Sequence, residues 1–474
     1  MKQLITLGVM LLITLSSYAK KRPNILFLFA DDHCNEEVHA FGNDQIITPN
    51  LDQLASQGVT FTNTYNMGAW NGAVCVASRA MMNSGMTVWH AKNNEKSFPQ
   101  RAEQKMMWAQ LLESKGYDTY MTGKWHVKAP VENIFKTTAH ERPGMPNQTP
   151  AGYNRPLSKD DDNWKPWDTK NGGYWKGGKH WSEVVADDAI GFLDQSKKSK
   201  KPFFMYIAFN APHDPRQAPK EYIDMYDVEK IKIPTSFLPE YPWKDAMKCG
   251  KKLRDEKLAP FPRTRYSIKV NRLEYYALIT HLDAQIGRII KELKRTGQDK
   301  NTYIIYSADH GLAVGKHGLV GKQSMYEHSM KPPLIVIGPS IPQNEKREQL
   351  VYLQDVMATT LDLAKVKKPA YVEFNSLLSI CKDKEAPNNY DAIYGSYLNA
   401  QRMVRVGDYK LIVYPAAKKV LLYNLKEDPK ELYDLSLQEK YQSKVKSLFK
   451  ELLVQQKNLD DPEDIATIFP ELSI

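Results

Sequence analysis

Runs of consecutive apolar residues, each ending in polar or charged residues, recur through the first three quarters of the chain. Residues 25–30 are all apolar, and Asp31-Asp32-His33 follows them directly. A continuous apolar run of this length is typical of a parallel strand that is buried on both faces. We therefore predict strands over residues 25–30, 119–122, 203–209, 303–307 and 334–337.

Segments with helical signals lie between these predicted strands. Thr48-Pro49-Asn50 precedes apolar residues at helical spacing, and Gly58 follows them, which predicts a helix. Further helices are predicted over residues 106–115, 184–193 and 273–294. The repeated alternation of strands and helices predicts the α/β class, with a large, mainly parallel or mixed sheet flanked by helices.

Two regions depart from this alternation. Residues 128–182 contain Pro, Gly, Asn and Trp with little periodicity, which is typical of a functional loop region. Near the C-terminus, short strands are predicted over 392–398, 403–406, 410–414 and 420–424, and a helix over 437–456. We therefore predict an α/β domain over residues 20–372 and a smaller C-terminal α+β subdomain, an antiparallel sheet plus a helix, over residues 373–474.

Residues 1–19 are predicted to be a secretory signal peptide. Lys2 gives a positive start, the twelve residues from Leu4 to Leu15 are mostly apolar, and small residues precede a predicted cleavage after Ala19. The alternative, a buried N-terminal strand or helix, is disfavoured by the Lys20-Lys21-Arg22 that follows. No stretch approaches the ~20 apolar residues of a membrane span, so we predict an exported chain, periplasmic or extracellular, without one.

Composition excludes several classes of protein. The 42% hydrophobic and 25% charged residues are ordinary globular values and exclude a disordered chain, a collagen-like fibre and a coiled coil. The four cysteines exclude a disulfide scaffold. A formal net charge of +10 favours an anionic partner such as a polysaccharide, although a lysine-rich surface alone would also produce it. Predicted export and the lack of a clustered basic motif oppose a nucleic-acid partner.

Charged residues follow several of the predicted strands. Asp31 and Asp32 follow the first strand, and Asp309 and His310 follow the fourth. Each pair alone is more typical of a helix cap or a solvated turn. If the strands are parallel neighbours, however, all four residues lie at one edge of the sheet. Three carboxylates and a histidine favour Ca²⁺ or Mg²⁺ over Zn²⁺.

The segment from Ala73 to Gly85 is the strongest local signal. Cys75 stands four residues before Arg79 at the start of an apolar helix, which fits either an activated thiol or a buried structural cysteine. Cys75-Val76-Ala77-Ser78-Arg79 resembles the signature of the formylglycine-dependent (type I) sulfatases, although Ala77 departs from the commoner proline. The resemblance extends, in the family's order, to residues 24–32, 116–126, 211–215, 307–311 and 318–322, and the chain looks closest to bacterial carbohydrate sulfatases.

The resemblance implies an alkaline-phosphatase-like fold and a sulfuric ester hydrolase. It implies that a formylglycine-generating maturation enzyme converts Cys75 into the nucleophile formylglycine, and that one Ca²⁺ is held by Asp31, Asp32, Asp309, His310 and residue 75. The implied catalytic set is Cys75, Arg79, Lys124, His126, His213 and Lys322. In this set His126 accepts a proton as the intermediate breaks down, and His213 is the better general acid beside Lys322.

The predicted substrate is an O-sulfate ester of a polysaccharide or glycosaminoglycan-type sugar, with a preference for galactose or N-acetylgalactosamine sulfate. The predicted substrate-binding residues are Lys124, His213, Lys322, Arg216, Trp175 and His180. Aromatic side chains in the irregular region can stack on sugars, although they can equally pack a small core. The alternatives are an arylsulfatase or choline-sulfatase, a phosphoester or phosphonate hydrolase, and an inactive glycan-binding homologue. The cysteine, the Asp-rich ligand set and the complete set of charged residues disfavour the last two.

Overall fold

The computed structural model describes residues 21–144, 149–161, 163–171, 174–175 and 177–473, so the predicted signal peptide lies outside the described residues. Its strands are β1 Asn24–Ala30, β2 Val59–Phe61, β3 Thr64–Tyr65, β4 Gly68–Ala69, β5 Asp118–Lys124, β6 Thr137–Arg142, β7 Phe203–Ala208, β8 Thr302–Ala308, β9 Leu334–Ile337, β10 Glu345–Arg347, β11 Val351–Tyr352, β12 Ala392–Tyr397, β13 Gln401–Val406, β14 Tyr409–Tyr414 and β15 Lys419–Asn424.

The α-helices flank these strands and vary widely in length. They are α1 Pro49–Ser56, α2 Val74–Ser84, α3 Val88–Asn94, α4 Phe98–Glu103, α5 Trp108–Glu113, α6 Trp181–Lys197, α7 Lys220–Ile223, α8 Arg265–Arg295, α9 Glu327–Met330, α10 Asp355–Leu363, α11 Leu378–Lys382, α12 Gln442–Asn458, α13 Ile465–Ile468 and α14 Pro470–Ser473. Across the described ranges, none of these helices combines the length and the apolarity needed to cross a membrane.

An eight-stranded mixed sheet forms the larger part of the molecule, in the order β10-β2-β9-β8-β1-β7-β5-β6. Strand β1 runs parallel to β7 and β8, and β5 runs parallel to β7 and β6. Strand β9 is antiparallel to both of its neighbours. The predicted α/β class with a large mixed sheet is therefore confirmed.

The first strand shows why its sequence is continuously apolar. Ile25, Phe27 and Phe29 pack into one hydrophobic cluster, and Leu26 and Leu28 pack into a second cluster on the opposite face of the sheet. Both faces are covered by helices, so a polar side chain at any of these positions would lie in a hydrophobic core. Because β1, β5, β7 and β8 are mutually parallel, their carboxyl ends meet at one edge of the sheet.

A second sheet of five strands, β15-β14-β13-β12-β4, forms the C-terminal part. Strands β12 to β15 are antiparallel, as predicted, but β4 comes from the N-terminal part and pairs with β12 in parallel. One hydrophobic cluster includes Phe27 of the large sheet and Leu411 of the small one. The two parts therefore share a core, and the division at residue 372 stays a prediction.

Two elements differ from the predicted pattern. Strand β6 lies within the predicted loop region, at the edge of the large sheet, and most of its residues are polar and partly exposed. Helix α8 begins at Arg265, eight residues before the predicted position, because Thr264 and Ser267 form reciprocal capping hydrogen bonds.

Candidate active site

Cys75 is the second residue of α2, in which every residue is buried. Its Sγ atom lies 3.2 Å from Asp31 Oδ1, 3.2 Å from Lys322 Nζ and 3.5 Å from His310 Nε2. Burial, and then the charge of Asp31, raises the pKa of the Cys75 thiol well above its usual value. Cys75 is therefore a buried thiol surrounded by charged groups, and its role as the nucleophile stays a prediction.

A cluster of buried carboxylates surrounds this thiol. Ligand atoms of Asp31, Asp32, Asp309, His310 and Cys75 all lie within 4.8 Å of one another. Asp32 adopts a left-handed backbone conformation with φ of 67°, and its N–H donates to Asp309 Oδ1 at 3.1 Å. The parallel strands therefore bring together the four metal-ligand residues predicted from β1 and β8.

The electrostatics of this cluster fit a hard divalent cation. Burial, opposed chiefly by Lys322, raises the pKa of Asp32 well above its usual value, and the charges of Asp31 and Asp309 add to this. Against the effect of burial, Lys124 holds the pKa of Asp31 well below its usual value. Crowded carboxylates of this kind favour a cation among them, and the excess of oxygen over nitrogen or sulfur ligands favours Ca²⁺ or Mg²⁺ over Zn²⁺.

Arg79 lies one turn after Cys75 on α2 and is completely buried. Its Nε donates to Asp309 Oδ2 at 3.0 Å, and its Nη1 donates to the Lys124 carbonyl at 2.7 Å. Nη2 lies 4.0 Å from Asp31 Oδ1 and has no hydrogen-bond partner among the described residues. The guanidinium is therefore fixed beside the cluster and keeps one nitrogen able to donate to a bound oxygen.

Two buried lysines reach the same point from different segments. Lys124, the last residue of β5, contacts Asp31 Oδ2. Lys322 Nζ lies 2.8 Å from Asp32 Oδ2, and, against the effect of burial, Asp32 holds the pKa of Lys322 well above its usual value. Both ammonium groups are therefore charged and adjacent to residue 75, where they can donate to the oxygens of an anion.

Two histidines border the cluster on the side of the cavity. His126 has a backbone φ of 58°, and burial, followed by Lys124, lowers its pKa to about 3. His213 Nδ1 lies 2.7 Å from the Asp214 carbonyl oxygen, which only accepts, so Nδ1 carries the proton. Burial and then Lys322 hold the pKa of His213 well below its usual value. Both rings are therefore neutral, and His213 Nε2 must gain a proton before it can act as an acid.

An open cavity of about 300 Å³ leads to Cys75, at the lower end of the ~300–1,000 Å³ range of ligand pockets. Its walls include Lys124, His126, His213 and Lys322 from the predicted set. They also include Arg254, Asp255 and Gln323, which were not predicted from the sequence. Asp255 accepts from Gln323 Nε2 at 2.7 Å and from Arg254 Nε at 2.9 Å. The run Arg254-Asp255-Glu256 is a weak sequence signal because no strand precedes it.

The structure places two of the predicted sugar contacts, Arg216 and His180, away from the walls of the cavity around Cys75. Arg216 is completely buried and donates to Asn271 Oδ1 of α8 at 2.8 Å. His180 caps α6 by accepting from the Ser182 N–H at 3.1 Å, and its Nε2 donates to the Gln217 carbonyl at 2.8 Å. Neither side chain is among the residues that line the cavity around Cys75. Arg216 Nε and Nη2 are buried and have no hydrogen-bond partner among the described residues.

Trp175 lies in the region of the irregular loop. Its ring centroid is 6.0 Å from that of Trp181, and the Arg142 guanidinium lies 5.4 Å from the Trp175 ring centroid. This ring is partly exposed but does not line the cavity around Cys75. A sugar contact by Trp175 therefore stays a prediction.

Sequence comparisons identify relatives over almost the whole chain. The family model described as Sulfatase matches residues 23–366, and the one described as N-sulphoglucosamine sulphohydrolase, C-terminal, matches residues 315–458. An arylsulfatase of Clostridium perfringens is 27% identical, over 95% of this chain and 98% of the relative. An N-acetylglucosamine-6-O-sulfatase of Bacteroides thetaiotaomicron is 24% identical, over 94% of this chain and 89% of the relative.

Solved structures share the architecture at lower identity. A protein in complex with its substrate D-glucosamine-2-N,6-O-disulfate has a TM-score of 0.71 and 23% identity, over 93% of this chain and 99% of that chain. A phosphonate monoester hydrolase of Agrobacterium radiobacter has a TM-score of 0.72 and 19% identity, over 92% and 96%. These similarities establish that the chain shares the fold of these proteins, which includes the predicted large mixed sheet flanked by helices.

Proposed function

Because the chain belongs to the sulfatase family and is a sulfuric ester hydrolase, we propose that it hydrolyses an O-sulfate ester of a sulfated carbohydrate. The family predicted from the motifs is confirmed by the match over residues 23–366. The observation that carries the proposal is the convergence of three carboxylates, His310 and two lysines on Cys75. These groups provide a cation site and an anion site next to one modifiable side chain.

The proposed nucleophile is formylglycine, formed from Cys75 by a maturation enzyme. The position of Cys75 supports this, because its side chain lies in a buried helix within 3.5 Å of Asp31, Lys322 and His310. Hydrated formylglycine supplies one hydroxyl that can attack sulfur and a second whose deprotonation expels sulfate. Asp31, Asp32, Asp309 and His310, with residue 75, would hold Ca²⁺, which supplies positive charge that stabilises oxyanions.

The side chains around residue 75 divide into binding and proton-transfer roles. Lys124, Lys322 and the free nitrogen of Arg79 donate to sulfate oxygens and hold the ester in the cavity. His126 is neutral and has an unpartnered Nδ1 among the described residues, so it can accept a proton at residue 75. His213 faces the cavity and is the proposed general acid for the departing sugar oxygen.

A carbohydrate substrate is supported by the relatives and by the predicted export of the chain. An N-acetylglucosamine-6-O-sulfatase is among the relatives, and a protein bound to a disulfated glucosamine shares the fold. A galactose- or N-acetylgalactosamine-type sulfate is the more specific proposal, to be compared directly with glucosamine sulfates. Arylsulfatase activity is the second candidate because the Clostridium perfringens relative carries that name.

Kinetics on a defined panel of substrates test this proposal. The panel contains regiospecifically sulfated galactose, N-acetylgalactosamine and glucosamine, with aryl sulfate, choline sulfate, a phosphate monoester and a phosphonate monoester as competitors. We expect the largest kcat/KM on a sulfated sugar, and no activity from a Cys75→Ala control. A larger kcat/KM on the phosphonate or phosphate ester would contradict the proposal.

A further inference from the structure

Arg254 is much more exposed to solvent than the other permanently charged side chains that line the cavity. Its side chain is 47% exposed, whereas those of Lys124 and Lys322 are each 2% exposed. The two lysines contact Asp31 and Asp32 at the inner end of the cavity. Arg254 therefore lies at the solvent side, where a bound substrate extends away from residue 75.

The guanidinium of Arg254 is held in a fixed orientation. Its Nε and Nη2 lie 2.9 and 2.7 Å from Asp255 Oδ1, and Nη2 lies 3.5 Å from Asp214 Oδ1. Asp255 is buried, and its second oxygen accepts from Gln323. Among the described residues, Nη1 of Arg254 has no hydrogen-bond partner. A positioned cation with a free pair of N–H groups thus faces the cavity.

Arg254 is also close to the proposed leaving-group side of the reaction. Its Nη2 lies 3.4 Å from His213 Nε2. Asp255 connects it to the inner end of the cavity, because Asp255 Oδ2 lies 3.8 Å from Lys322 Nζ, which contacts Cys75. A sugar whose sulfate occupies the inner end would therefore bring its neighbouring substituents towards Arg254.

The charges of the cavity wall indicate the chemistry of that substituent. Three permanent cations, Lys124, Arg254 and Lys322, line the wall with a single carboxylate, Asp255. Lys124 and Lys322 contact Asp31 and Asp32 at the inner end of the cavity, where the scissile sulfate would bind. Arg254 is therefore the cation of this wall that is placed to meet a neighbouring substituent of the sugar. Guanidinium groups remain charged at all relevant pH values and bind carboxylates and sulfate-like oxyanions well.

We propose that Arg254 is a specificity-determining residue that binds a second oxyanion of the substrate, a sulfate or a carboxylate next to the scissile sulfate. Asp255 is its positioning residue. This inference rests on the proposed sugar sulfatase function and narrows its substrate class to sugars with at least two anionic groups. A neutral sugar hydroxyl as the partner of Arg254 is the competing outcome.

Matched substrates test the role of Arg254. The first is a monosulfated sugar, the second carries an additional sulfate, and the third replaces that sulfate by a uronate carboxylate. The wild type should show a higher kcat/KM on one of the doubly charged sugars. Arg254→Gln should lower kcat/KM on that sugar by about 10–100-fold more than on the monosulfated sugar, as expected for a charge-assisted hydrogen bond. Arg254→Lys should retain part of the preference.

The controls separate recognition from folding and from the chemistry. Lys252→Gln removes an exposed cation two residues away that does not line the cavity, and it should leave the preference unchanged. The preference of the wild type should weaken at high ionic strength because Arg254 is partly exposed. Thermal unfolding of each variant shows whether it is folded.

Two results overturn this inference by different routes. If Arg254→Gln lowers kcat/KM equally on all three sugars, or if the wild type prefers the monosulfated sugar, Arg254 does not select a second anion. The sulfatase function then still stands. If the matured wild type hydrolyses none of the sulfated sugars but cleaves another ester of the panel, the proposed function fails and this inference fails with it.

Discussion

The Nζ atom of Lys322 lies 3.2 Å from Cys75 Sγ and 2.8 Å from Asp32 Oδ2. One ammonium group therefore contacts both the residue proposed as nucleophile and a proposed metal ligand. Asp255 lies on its outer side at 3.8 Å. This position links the cation site, the nucleophile and the cavity wall.

Modification of Cys75 is the first prediction. Protein produced with a formylglycine-generating enzyme should carry an aldehyde in place of the thiol, which mass spectrometry of the peptide containing residue 75 detects. Cys75→Ala should remain folded and lose essentially all turnover. Cys381→Ala is the matched control, because this buried free cysteine lies in α11 and does not line the cavity. Full activity from protein whose Cys75 is still a thiol would refute the prediction.

Calcium dependence is the second prediction. A Ca²⁺-selective chelator should abolish activity, and added Ca²⁺ should restore it. Independently of activity, Ca²⁺ at 100 times its Kd should stabilise the folded wild type by about 2.7 kcal/mol, and thermal unfolding measures this shift. Asp309→Ala should lose both effects, whereas His310→Asn should be the mildest change because an amide oxygen can also bind calcium. Stoichiometric zinc without calcium in active enzyme would contradict this assignment.

A buried ion pair supports the C-terminal part and gives the third prediction. Arg402 Nε and Nη2 donate to Asp461 at 2.6 and 2.7 Å, and both side chains are fully buried. Asp461→Ala leaves the guanidinium buried without its counter-charge, which should cost about 3–5 kcal/mol in the free energy of unfolding. Asp224→Ala breaks the exposed pair with Lys220 and should cost less than about 1 kcal/mol. Urea unfolding compares the two, and equal losses would disprove the prediction.

Asp355 gives a prediction about pH and stability. Burial, the largest effect, raises its pKa from 3.8 to about 6, although Tyr390 and Asn389 donate to the carboxylate. The folded state then binds the proton more tightly than the unfolded state. The stabilisation is therefore complete below pH ~3.8 and is lost as pH rises through about 6. As pH rises from about 5 to about 8, the titration of Asp355 should lower the free energy of unfolding by about 1 kcal/mol.

The variant Asp355→Asn isolates that contribution. It removes the titration of this group. The unfolding free energy of the wild type minus that of the variant should therefore fall as pH rises from about 5 to about 8. Asp362→Asn, at an exposed position on the same helix, is the matched control for the substitution itself. A difference between wild type and Asp355→Asn that stays constant with pH would show that Asp355 is not the group responsible.

The strands that could be predicted from the sequence are those that are buried on both faces of the large sheet. The apolar run at residues 25–30 is compatible with few structures other than a buried strand, because each of its side chains packs into one of two hydrophobic clusters. Strand β6 escaped prediction because it lies at a sheet edge, where polar residues are tolerated. The two-residue strands β3, β4 and β11 are too short to show any periodicity.

The candidate site was predictable where its residues follow predicted strands. Asp31 and Asp309 could be placed together because parallel strands share a carboxyl edge. Arg254 and Asp255 follow no strand, and their contacts with His213 and Lys322 join residues far apart in the chain. Conversely, Arg216 follows the strand β7 closely, yet its side chain turns into the core against α8. Only tertiary packing distinguishes these cases.

The last prediction concerns the proton donor. His213 Nδ1 donates to the Asp214 carbonyl, which leaves Nε2 to carry the proton for a leaving group. A sugar alkoxide is strongly basic and departs slowly unless it is protonated, whereas a nitrophenolate needs little help. His213→Ala should therefore lower turnover ~10²–10⁴-fold on a sulfated sugar and much less on an activated aryl sulfate.

The comparison of two substrates on one variant separates acid catalysis from other roles of His213. A general loss of folded protein would lower both rates alike, so it cannot produce the expected pattern. Equal losses on both substrates would show that His213 binds sulfate or positions its neighbours. Lys322, whose ammonium group already contacts residue 75, would then be the better candidate for the acid. The same pair of substrates on Lys322→Ala would decide this, because loss of an acid again affects the sugar sulfate more than the aryl sulfate.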